Sequence, residues 1–289
     1  MPTVAQWVEG ARLRTLPNAI APVVVGTGAA FAVEGFNALQ AVLCLVVSLS
    51  LIIGVNFAND YSDGIRGTDD DRVGPLRLVG SGAAEPKLVL RAAIACFALA
   101  AVAGITIALT SGHWWFIPLG AVCIAAAWFY TGGKKPYGYA GLGEVAVFTF
   151  FGPVAVLGTL YIQASEISGA GIGGAIGAGL FSAAVLVSNN LRDIPTDRET
   201  GKRTLAVLLG DRDTRGLYTA LVVVPFLLTL LIGFREPWAM LGFLAVPLVF
   251  FSLRRILRGD TGMALIPVLK DTGLAMLVWS LGTGIGLAI

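Results

Sequence analysis

The sequence predicts an all-α polytopic membrane protein, and three observations carry that prediction. The 289 residues are 56% hydrophobic and 13% charged, with a mean hydropathy of +0.81, whereas a soluble domain carries about 25% charge. Apolar stretches of about 20 residues, the length needed to cross the hydrocarbon core of a bilayer, recur along the whole chain. Basic residues fall almost entirely on alternate connections between those stretches.

Nine spans are predicted, at 16–34, 37–58, 88–111, 114–132, 142–164, 168–190, 216–234, 237–253 and 267–288. With the N-terminus cytoplasmic, nineteen of the twenty Lys and Arg residues lie inside and Arg235 alone lies outside. This asymmetry predicts a protein integral to the cell (cytoplasmic) membrane, with the C-terminus on the opposite side, as an odd span count requires. The first span ends in Ala30-Phe31-Ala32, which looks like a signal-peptidase site. That span exceeds a secretory apolar core and eight more follow it, so it reads as a retained helix. Cys44, Cys96 and Cys123 sit inside apolar segments without metal-ligand spacing, and they read as packing residues.

The connections differ in a way that locates chemistry. Those predicted to face outward are a few residues long, whereas 59–87 and 191–215 are long loops, which in compact domains are functional or disordered. Each begins at an acidic cluster: Asn56-Phe57-Ala58-Asn59-Asp60-Tyr61-Ser62-Asp63, and Asn189-Asn190-Leu191-Arg192-Asp193-Ile194-Pro195-Thr196-Asp197. Asp60 and Asp193 each close the second span of a four-span block. The chain therefore reads as one domain, 1–289, of two four-helix pseudo-repeats (about 16–132 and 142–256) plus a ninth helix. Four spans restore the original direction, so the repeats would be parallel, with both clusters at one cytoplasmic mouth.

A carboxylate costs roughly 2.5 to 3.5 kcal/mol at the centre of a membrane helix and less near its end, so acids placed there imply a cation or a water-filled cavity. At helical spacing Asn56, Asn59, Asp60 and Asp63 fall within an arc of about 100°, a face of oxygen donors. Asp193 and Asp197 are one turn apart, and Asn189 and Asn190 extend that face inward, although Pro195 predicts a kink or a helix restart between them. Two carboxylates about 4 Å apart repel by roughly 4 kcal/mol at an effective dielectric near 20. Oxygen donors without His or Cys suit Mg²⁺, which keeps waters and shares phosphate oxygens with a substrate. Simple helix-terminating caps would account for one such cluster better than for two.

Arg77, Lys134, Lys135, Arg192, Arg198, Lys202 and Arg203 surround the same predicted mouth, and guanidinium and ammonium groups are what a diphosphate needs beside its metals. Taken singly, each is also explained by topology. Tyr130-Thr131-Gly132-Gly133-Lys134 places a tyrosine and a lysine at the end of the fourth span. No P-loop is present, Gly173 and Gly177 have helix-packing spacing, and His113 reads as an interfacial anchor.

These residues resemble the UbiA superfamily of intramembrane aromatic prenyltransferases, over essentially the whole chain. Arg12-Leu13-Arg14-Thr15-Leu16-Pro17, Asn59 to Asp69, Arg77-Leu78-Val79-Gly80-Ser81-Gly82, Gly141-Leu142-Gly143-Glu144 and Gly201 to Val207 look like the branch that prenylates 1,4-dihydroxy-2-naphthoate. The resemblance implies a nine-helix bundle with cytoplasmic cap loops. Asn56, Asp60 and Asp63 match the first aspartate motif, Asp193 and Asp197 the second, and Lys134 the Y-x-x-x-K element associated with diphosphate. Gly67 stands where other branches carry a further aspartate, a role that then passes to Asp69.

By that resemblance Asp60, Asp63, Asp193 and Asp197 are catalytic and, with Asn56, hold two Mg²⁺ ions shared with diphosphate. Lys134, Arg192, Lys202, Arg203 and Arg77 bind diphosphate, while Asn56, Asn59, Tyr130, Asn189, Asn190 and Arg14 line the substrate pocket. The implied partners are polyprenyl diphosphate, 1,4-dihydroxy-2-naphthoate and membrane lipid, with no nucleic acid. Competing readings are a related transferase with another acceptor, such as 4-hydroxybenzoate or homogentisate, and a transporter, whose sites lie nearer the membrane midplane. A non-catalytic lipid-binding protein would have no use for two matched clusters.

Overall fold

A computed structural model of the chain describes residues 2–67 and 76–289. The described residues contain α-helix, 3₁₀ and π turns and no strand. In order the helices are α1 (Val4–Gly10), α2 (Pro17–Ala32), α3 (Ala38–Gly64), α4 (Pro86–Ser111), α5 (Phe116–Phe129), α6 (Gly143–Thr149), α7 (Gly158–Ala164), α8 (Gly169–Glu199), α9 (Leu205–Gly233), α10 (Val246–Arg258) and α11 (Ile266–Leu287). A π-helical stretch, Phe150–Leu157, joins α6 to α7 around Pro153, and 3₁₀ turns at Pro237–Ala245 and Gly262–Leu265 lead into α10 and α11.

Seven helices among the described residues are long and apolar enough to cross a membrane, or eight if α2 is counted with the bent segment before it. The expectation of nine spans is corrected at two places. α5 has 14 residues, about 21 Å at 1.5 Å per residue, against a hydrocarbon core of about 30 Å. α2 qualifies only together with Val4–Thr15, across a 50° bend. The other seven predicted spans each coincide with one long helix or helical pair.

The long second loop is also corrected. α8 runs through Pro195 to Glu199 without a restart, and α9 begins at Leu205 with Thr204 as its N-cap, leaving a short connection. α8 continues through Pro195 although the proline removes one helical N–H, so Asp193 and Asp197 remain on successive turns. Gly210, at φ 79° and ψ 174°, breaks α9 after its first turn and a half, a conformation glycine adopts without penalty.

The chain forms two compact units, Met1–Leu16 with Leu43–Tyr139, and Pro17–Val42 with Ala140–Ile289. Within the first, Phe57, Ala58, Leu78, Val89, Ala93 and Phe97 are buried together, with Trp7 and Trp128 against them. Gly10 and Gly64 admit Leu78 and Val79 respectively, since a Cβ at either position would lie within 2.7 Å of those side chains.

Within the second unit, Phe181, Trp279, Tyr218, Phe226 and Met276 fill the core. The Trp279 indole donates to Thr229 at 2.8 Å, and the Tyr218 hydroxyl bonds Thr272 at 2.6 Å, so the polar atoms of these buried rings are satisfied. Small residues permit close approach, as in membrane helix pairs generally. A Cβ on Gly28 would lie 2.3 Å from the Gly284 carbonyl, and one on Gly177 would lie 2.6 Å from Trp279. Gly173 and Gly177 are thus packing positions, as their spacing predicts. The three cysteines are free.

Candidate active site

In the first unit the predicted oxygen-donor face of α3 is present, and each of its residues holds a different segment. Asn56 donates from Nδ2 to the Ala11 carbonyl and to Thr15 Oγ1, both at 2.9 Å, fixing the turn that carries Arg12 and Arg14. Asn59 Oδ1 accepts from Thr131 Oγ1 at 2.6 Å. Asp60 accepts from the backbone amides of Leu78 at 2.7 Å and Val79 at 3.0 Å, one on each carboxylate oxygen. Asp63 accepts from the Tyr139 hydroxyl and pairs with Arg77 at 3.7 Å. These four side chains are buried, and a buried polar group costs least when its partners are fixed.

That arrangement gathers two predicted basic residues around α3. Arg77 directly precedes the turn that Asp60 holds, and its guanidinium reaches Asp63. Lys134 follows the turn that Asn59 holds through Thr131, and it is exposed, as is Arg14. Tyr130 stacks edge-on against Tyr137, whose hydroxyl donates to the Ala126 carbonyl at 2.8 Å. Burial pushes the Tyr137 phenol up to about 12, so it remains a donor at neutral pH. Asp69 lies outside the described residues.

The second unit places its acidic cluster on α8. Arg192 forms a bidentate pair with Asp193, at 2.6 Å and 2.7 Å, and donates to Asn189 Oδ1 at 2.9 Å. Asn189 also reaches Asp193 at 3.5 Å. Asp197 is buried one turn on, Lys202 is half-buried and Arg203 is exposed. Asn190 turns the other way and donates to Glu144 Oε1 at 2.8 Å, both side chains being buried.

Four partners were not picked out for these roles by sequence reading. Thr131, Tyr139, Arg66 and Glu144 each meet a predicted site residue or its turn, at sequence separations of 46 to 76. For Glu144 a signal existed, since an acid one residue inside an apolar span requires a partner. The others are ordinary loop-end residues whose role depends on what folds against them.

Among the described residues no three His, Cys, Asp or Glu side chains are grouped to hold a metal. The donor chemistry nonetheless fits Mg²⁺, which takes one or two carboxylates and completes its shell with water and substrate phosphate. In the first unit Asp63, and in the second Asp193, Asp197 and Asn189, are hard oxygen donors of that kind. Asp60 has both oxygens engaged by backbone amides, although each oxygen retains a second lone pair.

Comparison with known proteins extends over the whole chain. It is 57% identical over 288 residues to the 1,4-dihydroxy-2-naphthoate octaprenyltransferase of Mycobacterium tuberculosis, covering 100% of this chain and 98% of the relative. It is 38% identical to the Escherichia coli protein of the same name, covering 92% and 89%. Among solved structures, a UbiA homologue from Aeropyrum pernix superposes with a TM-score of 0.70 at 16% identity, covering 93% and 96%. An Archaeoglobus fulgidus homologue bound to GPP and Mg²⁺ superposes at 0.68 with 15% identity, covering 98% and 100%, a likeness of fold. The model of the UbiA prenyltransferase family matches residues 19–281, and with the full-length relatives it shows that this chain belongs to that family.

Proposed function

We infer that this integral membrane protein transfers a polyprenyl group from polyprenyl diphosphate to 1,4-dihydroxy-2-naphthoate, releasing diphosphate and CO₂ and forming demethylmenaquinone. The observation that carries this reading is the end-to-end similarity to proteins named for that reaction. The polar clusters on α3 and α8 are chemically suited to it. A departing diphosphate needs cations at fixed positions, and the prenyl chain needs an apolar surround.

In this reading Arg77, Lys134, Arg192, Lys202 and Arg203 bind diphosphate oxygens and take up charge as the allylic C1–O bond breaks. The naphthoate ring attacks C1, and loss of its carboxylate restores aromaticity. Asp63, Asp193 and Asp197, with Asn56 and Asp60 as further oxygen donors, would hold Mg²⁺. When bound, that ion neutralises charge growing on the leaving group. Asn59, Tyr130, Asn189, Asn190 and Arg14 are assigned to the substrate pocket. The basic residues also support a cytoplasmic N-terminus and a cytoplasmic site, since nineteen of twenty share one predicted side.

Purified protein given Mg²⁺, a polyprenyl diphosphate and separate aromatic acids, with products read by mass, tests the reading. A decarboxylated, singly prenylated product from 1,4-dihydroxy-2-naphthoate alone is expected. Turnover of 4-hydroxybenzoate or homogentisate in its place would reassign the acceptor.

A further inference from the structure

We propose that Arg66 is a positioning residue that sets the place of Lys134 by clamping the turn before it; this rests on Lys134 binding diphosphate, as proposed above. Arg66 lies just beyond the C-terminus of α3, three residues past Asp63. Its two terminal nitrogens donate to two different carbonyls, Nη1 to Thr131 and Nη2 to Gly133. Gly133 directly precedes Lys134 in the chain, and Thr131 lies three residues before it. A planar guanidinium meets two acceptors at a fixed spacing, so it constrains the orientation of the turn as well as its position.

Three further bonds fix the same segment. Thr131 is held from its side chain by Asn59 at 2.6 Å. The amide of Gly138 closes the segment onto the Tyr130 carbonyl at 3.0 Å, and the Tyr137 hydroxyl ties it to Ala126. Gly133 has φ of 75°, the left-handed conformation that lets the chain reverse just before Lys134. The lysine is therefore an exposed side chain on a backbone restrained on both sides, and on its N-terminal side Arg66 holds the main chain at Thr131 and Gly133 while Asn59 holds the Thr131 side chain. A flexible ammonium on a mobile loop would have to be ordered anew with each diphosphate bound, and pre-ordering the backbone removes that cost.

Arg66 also adds positive charge near Lys134, so fork and charge must be separated. Lysine at position 66 keeps the charge but cannot hold both carbonyls in the guanidinium plane. The test uses the full-length protein in detergent with Mg²⁺, varying polyprenyl diphosphate and naphthoate in turn, for R66K, R66M, K134A and the double variant R66M/K134A.

R66K and R66M should both raise KM for the prenyl diphosphate about tenfold and leave KM for naphthoate within roughly twofold. In the K134A background R66M should add less than about twofold, because the residue through which it acts is gone. A full effect of R66M on top of K134A, or wild-type behaviour of R66K, would overturn the proposal. If K134A alone left the diphosphate KM unchanged, the assignment of Lys134 would fail and the proposal with it. If R66M does not fold, R66K/K134A supplies the same cycle.

Discussion

The two acidic clusters are alike in sequence and unlike in structure. On α3, the four oxygen-donor side chains bond or pair with residues 14 to 76 positions away, reaching the 11–15, 77–79, 131 and 139 regions of the chain. On α8, Asn189, Arg192 and Asp193 bond one another within four residues. The first cluster therefore ties distant segments together through all four side chains, whereas in the second Asn190 reaches Glu144 while Asn189, Arg192 and Asp193 also bond one another along the helix. One motif type serves two purposes, and substitutions should separate them.

The largest expected effect is common to both clusters. Asp63→Ala and Asp193→Ala should each lower turnover about 100-fold or more, as should removal of divalent metal with a chelator, because each takes away charge that the departing diphosphate requires. Product formation followed by mass checks this. Near wild-type rates in either variant would remove that cluster from the reaction.

Next in size is Arg192→Ala. Its loss should raise KM for the prenyl diphosphate roughly tenfold, the scale of one charge-assisted hydrogen bond, and alter KM for naphthoate less. Separate saturation curves distinguish the two substrates. An unchanged diphosphate KM and an unchanged kcat would leave Arg192 with a structural role toward Asp193 and Asn189.

Two smaller effects sharpen the contrast in stability. Thr131→Val strands the buried Asn59 oxygen and should cost about 1 to 3 kcal/mol. Asn189→Ala, on a face that bonds locally, should cost within roughly 0.5 kcal/mol. Thermal melting in detergent compares them, and equal losses would break the distinction between organising and local clusters.

Sequence reading reached the helical class, the order of the apolar segments and the residues that share the α3 and α8 faces, because each follows from periodicity and hydropathy along the chain. It misjudged what depends on neighbours. α5 is apolar over the predicted length, but its helix ends at Phe129, where the chain turns toward the Arg66 clamp. Pro195 carries a real local penalty, yet α8 continues through it. The close fit of Gly28 against Gly284, far apart in the chain, is also a contact that no spacing rule reveals. Periodicity likewise identified Asn59 and Asp60 as sharing a face, but not that Thr131 and the amides of Leu78 and Val79 would meet it.

The most direct test of the contrast is to melt Asp60→Asn and Asp193→Asn side by side with wild-type protein while assaying both. In Asp60→Asn one carboxylate oxygen becomes an NH₂ group facing a backbone N–H, so a buried bond is lost and two donors confront each other. Both variants should lose most turnover. Asp60→Asn should also melt lower by about 3 °C or more, while Asp193→Asn should stay within about 1 °C of wild type. Equal melting temperatures in the two variants, or a larger fall in Asp193→Asn, would contradict the assignment of an organising role to the α3 cluster.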